Sequence, residues 1–98
     1  MKEITAKEVE HKLMNDEVLN IIDVREVEEV AEGKILGALH IPLRLLEFRM
    51  HELDKNKEYI MVCLSGGRSS RAVQFLENHG FQVINMTGGM LVWEGKTE

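Results

Sequence analysis

The run Tyr59-Ile60-Met61-Val62-Cys63-Leu64-Ser65-Gly66-Gly67-Arg68-Ser69 joins the two readings on which the fold turns. Its first four residues are apolar throughout, the pattern of a strand covered on both faces. Its second half is a glycine-containing loop. Behind it Ala72, Val73 and Leu76, with Phe75, recur at helical spacing, so a helix is expected to begin near Ser69 and to stop before Gly80.

Working outward, the same alternation repeats. Phe81-Gln82-Val83-Ile84 reads as the last strand, and Gly88-Gly89 introduces a short closing helix with Trp93. Toward the N-terminus, Thr5-Ala6-Lys7-Glu8 is a capping box opening a helix over about Ala6–Met14. Val18-Leu19-Asn20-Ile21-Ile22 is a strand ending at Asp23. A short helical stretch follows, with Val27, Val30 and Ala31 on one side, and Gly37–Pro42 is a short strand closed by proline. Leu43, Leu46, Met50 and Leu53 then mark one more amphipathic helix. Strands alternating with helices predict an α/β fold with a mostly parallel sheet between helical layers. In such sheets the functional crevice lies at the carboxyl ends of the strands, where Cys63 stands.

Composition narrows the function classes. The 98 residues are 44% hydrophobic and 30% charged, without repeats, linkers or low-complexity segments, so residues 1–98 read as one globular domain. The single cysteine excludes an intrachain disulfide, a cysteine-cluster zinc site and an iron–sulfur centre built from the chain's own thiolates. With 12 basic against 17 acidic residues the net charge is −5, which repels nucleic-acid backbones. The N-terminus mixes both signs of charge and is unlike a secretory signal, and Tyr59–Leu64 is far too short to span a membrane. A cytoplasmic, reducing location is expected, where a lone thiol stays available for reaction.

The loop carries the chemistry. Gly66 and Gly67 permit positive φ angles, so consecutive N–H groups can turn inward around a small anion, and a helix N-terminus adds partial positive charge at the same place. Arg68 and Arg71 lie in or beside the first turn, where a cation opposes the helix dipole. They are better understood with an anion, such as a thiolate or persulfide on Cys63, at the centre. The same field lowers the pKa of Cys63 and yields a nucleophilic thiolate. A lone cysteine at a strand end is commonly a small buried hydrophobe; the glycine pair and the two arginines point to reaction instead.

Cys63-Leu64-Ser65-Gly66-Gly67-Arg68-Ser69, followed by Ala72, resembles the active-site loop C-x-x-G-x-R-S-x-x-A of rhodanese-like sulfurtransferases. Ile22-Asp23-Val24-Arg25 is similar to that family's D-x-R strand end. Glu32-Gly33-Lys34-Ile35-Leu36-Gly37-Ala38 with Ile41-Pro42 is similar to its E-G-H-I-x-G-A…I-P signature, and Gly80-Phe81, Val83, Asn85-Met86 and Gly88-Gly89-Met90 with Trp93 to its C-terminal pattern. The resemblance implies a rhodanese-like parallel sheet of about five strands with helices on both faces. It also implies a sulfurtransferase mechanism without metal or organic cofactor. Cys63 takes a sulfane sulfur from thiosulfate, a persulfide or a polysulfide, holds it as a persulfide, and passes it to cyanide, a thiol or an acceptor protein. The backbone of Leu64, Ser65, Gly66, Gly67, Arg68 and Ser69 would cradle the sulfur, Arg68 would organise the loop, and Asp23, Arg25 and Arg71 would support the pocket.

Two departures stand out. Thiosulfate-active members often carry cations where this chain has Ser65 and Glu29, which leaves thiosulfate as the physiological donor an open question. The family's usual histidine is Lys34 here, read as a surface residue. Glu8-Val9-Glu10-His11 looks like a helical metal motif but has no second copy, so it reads as an exposed charged face. His40, His51 and His79 read as structural or surface residues, Trp93 with Met90 and Leu91 as core packing, and the six methionines as core filler. Two other functions compete. One is cysteine-dependent phosphatase chemistry, for which the four residues between Cys63 and Arg68 make a cramped loop. The other is a non-catalytic binding module.

Overall fold

The computed structural model describes residues Met1–Glu98. Five parallel strands, β1 (Glu3–Thr5), β2 (Asn20–Asp23), β3 (Leu39–His40), β4 (Glu58–Val62) and β5 (Gln82–Thr87), lie in the order β1-β5-β4-β2-β3. Four helices connect them: α1 (Ala6–Met14), α2 (Val27–Val30), α3 (Leu46–Arg49) and α4 (Gly67–Asn78). The sheet has helices on both faces, as the family resemblance implies.

Alternation of strand side chains gives each face its own core. Ile22, Met61, Cys63 and Val83 pack with Leu46 of α3 and Ala72, Val73 and Leu76 of α4. Ile4, Ile21, Ile60, Ile84 and Met86 pack on the other face with Ala6 and Val9 of α1. Burying each of the Ile, Leu, Val and Met side chains among them contributes roughly 1.5–3 kcal/mol. Right-handed crossovers account for the layers. The β1–α1–β2 connection runs one way across the sheet and β4–α4–β5 the other, so α1 and α4 fall on opposite faces.

The chain leaves β2 toward one edge, to β3, and leaves β4 toward the other, to β5. Between the carboxyl ends of β2 and β4 the connections diverge and open a crevice. Asp23 pairs with Val62 in register, and Val24 N–H donates to the Val62 carbonyl at 2.8 Å. Cys63 and the Asp23–Arg25 segment therefore flank that crevice.

Several local expectations are corrected. Glu3–Thr5 forms β1, which the sequence reading missed; only Ile4 of its three residues is buried, and it is a strand because β5 lies beside it. β5 runs on to Thr87, and α4 begins at Gly67, two residues before Ser69. The amphipathic run after Pro42 is α3 flanked by 3₁₀ turns at Leu43–Leu45 and Met50–Glu52, and the closing helix is a 3₁₀ turn at Gly89–Val92. Val27 and Ala31 are exposed, because α2 is a single turn that packs by polar contacts. Leu91 is exposed while Trp93 and Met90 pack on the core, and of the methionines only Met61 and Met86 are fully buried. No helix is long and apolar enough to cross a membrane.

Candidate active site

β4 ends at Val62, so Cys63 is the first residue past the strand. Its side chain lies in the core on the α4 face, 1% exposed. Two devices shape the loop that follows. Gly66 takes φ +112° as the N-cap of α4, a conformation that suits glycine, and this aims its N–H at Sγ of Cys63 over 3.0 Å. Gly67 is ordinary first-turn helix, so only one of the two glycines supplies the positive φ that was expected of both. The second device comes from the end of β5. Met90 and Leu91 N–H donate to the carbonyls of Cys63 and Leu64 at 2.9 and 3.0 Å. A Cβ on Gly89 would collide with those same carbonyls. The Gly88-Gly89 pair, read from sequence only as a helix opening, is thus what lets the last turn clamp the first residues of the loop.

The thiol's environment is polar on one side. Ser69, wholly buried, places Oγ 3.3 Å from Sγ, and Ser69 in turn donates to Asn85 Oδ1 at 2.5 Å. Burial pushes the Cys63 thiol up, but the Ser69 hydroxyl and the backbone N–H groups of Ser69, Gly66 and Ser65 outweigh it and hold the pKa below the ordinary thiol value. Leu64 and Ser65 are exposed and Gly66 is half-buried. The backbone from Leu64 to Ser69 therefore forms a concave turn over Sγ, closed by the N-terminus of a helix long enough to carry a dipole.

Arg68 has a different partner from the one its position suggested. Its guanidinium makes a two-pronged pair with Glu29 of α2, at 2.6 and 2.7 Å, with both side chains about 29% exposed. The pair pulls Glu29 down to about 2 and raises Arg68. The anion that makes a cation tolerable in this first turn is a carboxylate, already in place before any thiolate forms. Arg71 is exposed and makes no hydrogen bond or ion pair, so nothing in the site engages it.

Asp23 and Arg25 form a buried pair, Nη2 to Oδ2 at 2.8 Å, with Arg25 Nε between both carboxylate oxygens. Arg25 also reaches the carbonyls of Gly33 at 2.7 Å and Glu29 at 3.4 Å, and its own carbonyl accepts from His40 Nε2–H at 2.7 Å. With all three guanidinium nitrogens occupied, Arg25 ties the end of β2 to α2 and to the turn at Gly33. In the sequence Asn85 stands out only as part of the C-terminal pattern. A polar residue set among the buried Val83, Ile84 and Met86 of β5 was the available signal.

A cavity of about 680 Å³ lies between α1 and the C-terminal tail, lined by Leu13, Met14, Leu36 and Trp93 among others. Leu13 and Trp93 pack on the face of the sheet opposite Cys63. Volume and chemistry part company here, and the thiol with its aligned donors marks the site.

The chain matches the family described as Rhodanese-like domain over residues 5–96. It is 46% identical over 98 residues to YtwF of Bacillus subtilis, covering 100% of this chain and 95% of that protein. It is 33% identical over 94 residues to a protein of Allochromatium vinosum named sulfurtransferase, covering 95% of this chain and 88% of the other. A crystal structure of a rhodanese-like domain protein from Staphylococcus aureus superposes with a TM-score of 0.94 at 37% identity, covering 100% of this chain and 97% of that one.

Proposed function

The chain belongs to the rhodanese-like domain family, and from that premise we propose that it is a sulfurtransferase in which Cys63 is the nucleophile and sulfur carrier. The observation that carries this reading is the buried Sγ of Cys63 beneath the N-terminus of α4, with the Gly66 N–H donating to it over 3.0 Å.

The chemistry balances on sulfur alone. The Cys63 thiolate attacks the outer sulfur of a persulfide, polysulfide or thiosulfate; a new S–S bond forms at Sγ, and the donor's S–S bond breaks with its electron pair leaving on the donor. An acceptor thiolate, a cyanide or a partner protein's cysteine then attacks the outer sulfur, and Cys63 leaves as thiolate. Every electron pair comes from a sulfur or the acceptor, so neither step calls on a metal or organic cofactor. The loop N–H groups stabilise the charge on the transferred sulfur as an oxyanion hole stabilises oxygen. With no second cysteine in the chain, the persulfide has no internal thiol to collapse onto, and its sulfur leaves to an outside acceptor. Arg68, closed on Glu29, keeps little of its fork for a phosphate, which counts against phosphatase chemistry.

Incubation with a small persulfide, polysulfide or thiosulfate should add one sulfur to the intact protein by mass spectrometry. Cys63→Ser should abolish the adduct while leaving the thermal transition in place. Failure to load from any of these donors would sink the enzyme reading and leave a non-catalytic binding module.

A further inference from the structure

Behind the thiol lies a buried polar group of three residues with fewer protons than acceptors. Ser69 Oγ is 2.5 Å from Asn85 Oδ1, 3.2 Å from the Gly66 carbonyl and 3.3 Å from Cys63 Sγ. Asn85 Nδ2 donates to the Gly66 carbonyl at 3.4 Å. That carbonyl can only accept, so the amide must turn its nitrogen there and its oxygen toward Ser69. Oδ1 can only accept as well. While Cys63 is a thiol, the one hydroxyl proton of Ser69 has two acceptors, Asn85 Oδ1 at 2.5 Å and the Gly66 carbonyl at 3.2 Å, and the shorter contact assigns it to Asn85; the Cys63 S–H can donate to Ser69 Oγ. Once Cys63 is a thiolate, Sγ is purely an acceptor and competes with Asn85 for the same proton.

We propose that Asn85 is a positioning residue that holds the Ser69 hydroxyl away from Cys63 in the thiol state and yields it to Sγ when the thiolate forms. The transfer needs only rotation of the Ser69 hydroxyl, with no bond to heavy atoms made or broken. The two half-reactions proposed above have opposite demands, and in that respect the inference rests on that reading. A nucleophile attacks sulfur better when its pKa is higher, whereas a thiolate leaves better when its pKa is lower. The attacking and the departing thiolate are the same species, so a hydroxyl that Asn85 releases only in part sets one intermediate basicity for both steps.

The charged and titratable groups around the crevice are Arg68 on α4 with its partner Glu29 on α2, the Asp23–Arg25 pair at the end of β2, and His40 on β3, which holds the Arg25 carbonyl. All are retained in the variants that test the idea.

The experiment is the rate of iodoacetamide alkylation of Cys63 as a function of pH, which requires no sulfur donor. Asn85→Leu and Asn85→Ala, one filling the space and one leaving it, should move the profile to lower pH. Below the midpoint the rate should rise by up to roughly tenfold, the equivalent of one pH unit. Ser69→Ala should move it to higher pH, and Ser69→Ala combined with Asn85→Leu should match Ser69→Ala alone. An Asn85 effect that persists without the Ser69 hydroxyl, or no effect at all, overturns the proposal. If neither Asn85 variant folds, the unaltered protein decides it. The carbon signal of the Asn85 side-chain carbonyl should shift as the thiol titrates, and a signal that stays constant overturns the proposal equally. Because alkylation reports on the thiolate alone, a protein that alkylates as expected but never loads sulfur refutes the sulfurtransferase reading and not this one.

Discussion

Two arginine–carboxylate pairs flank the crevice, and they differ in almost every physical respect. Asp23–Arg25 joins residues two apart in the chain, with its side chains 1% and 5% exposed. Glu29–Arg68 joins residues 39 apart, with both partners at about 29% exposure. The first is a scaffold: its charges are out of water, and each would be left stranded without the other. The second sits at the rim, where water screens it and its worth to stability is small, yet it decides how much of the positive charge of Arg68 an incoming anion meets. Depth, not charge, separates a structural ion pair from one that can tune substrate choice.

The largest expected effect of breaking this comparison is on the buried side. Arg25→Ala should cost about 3–5 kcal/mol in a denaturant titration by leaving Asp23 uncompensated. Asp23→Leu combined with Arg25→Met should recover most of that loss, because removing both charges also removes both desolvation penalties. If the single and double variants are equally unstable, the pair is worth more than its burial suggests.

At the rim, Glu29→Gln should change stability by no more than about 1 kcal/mol. It should free the Arg68 charge, and turnover with thiosulfate, a dianion, should rise by roughly tenfold relative to a neutral donor. Equal gains with both classes of donor would show that the ion pair does not select by charge.

The smallest effect is in acid. Glu29 is held at about 2 against an ordinary 4.5, so its pairing stabilises the fold fully above 4.5 and the contribution fades as pH falls toward 2. With screening, about 1 kcal/mol should vanish in that window. It should be visible as a convergence of the thermal transitions of the parent and Glu29→Gln proteins between pH 4.5 and 2. Curves that stay parallel would show that the carboxylate is not the titrating group.

How much was legible beforehand follows the range of the interactions. The first helix was read to the residue, because a capping box and two apolar positions one turn apart are properties of adjacent residues. The apolar strand before Cys63 and the helix behind its loop were legible as elements for the same reason, though the strand starts one residue earlier, at Glu58, and the helix two residues earlier, at Gly67. β1 was not legible: Glu3-Ile4-Thr5 has one apolar residue, and its extended shape depends on an edge of β5 contributed from the far end of the chain. The exposed Val27 and Leu91 were misplaced for a related reason, since a periodic apolar position says which face a helix could bury, not whether anything stands against it.

The site divides along the same line. The sequence by itself determined the candidate nucleophile, its place at a strand end and the turn over it, because each depends on residues within one turn of Cys63. Only the tertiary structure decided that Arg68 spends its charge on Glu29 and that Gly88-Gly89 lets the chain clamp the loop. It also decided that Asn85, 16 residues from Ser69, claims the hydroxyl facing the thiol. Those partners meet because the connections diverge between β2 and β4 and bring α2, α4 and the end of β5 to one rim. No periodicity in the chain encodes which side chain will stand opposite which once that rim is assembled.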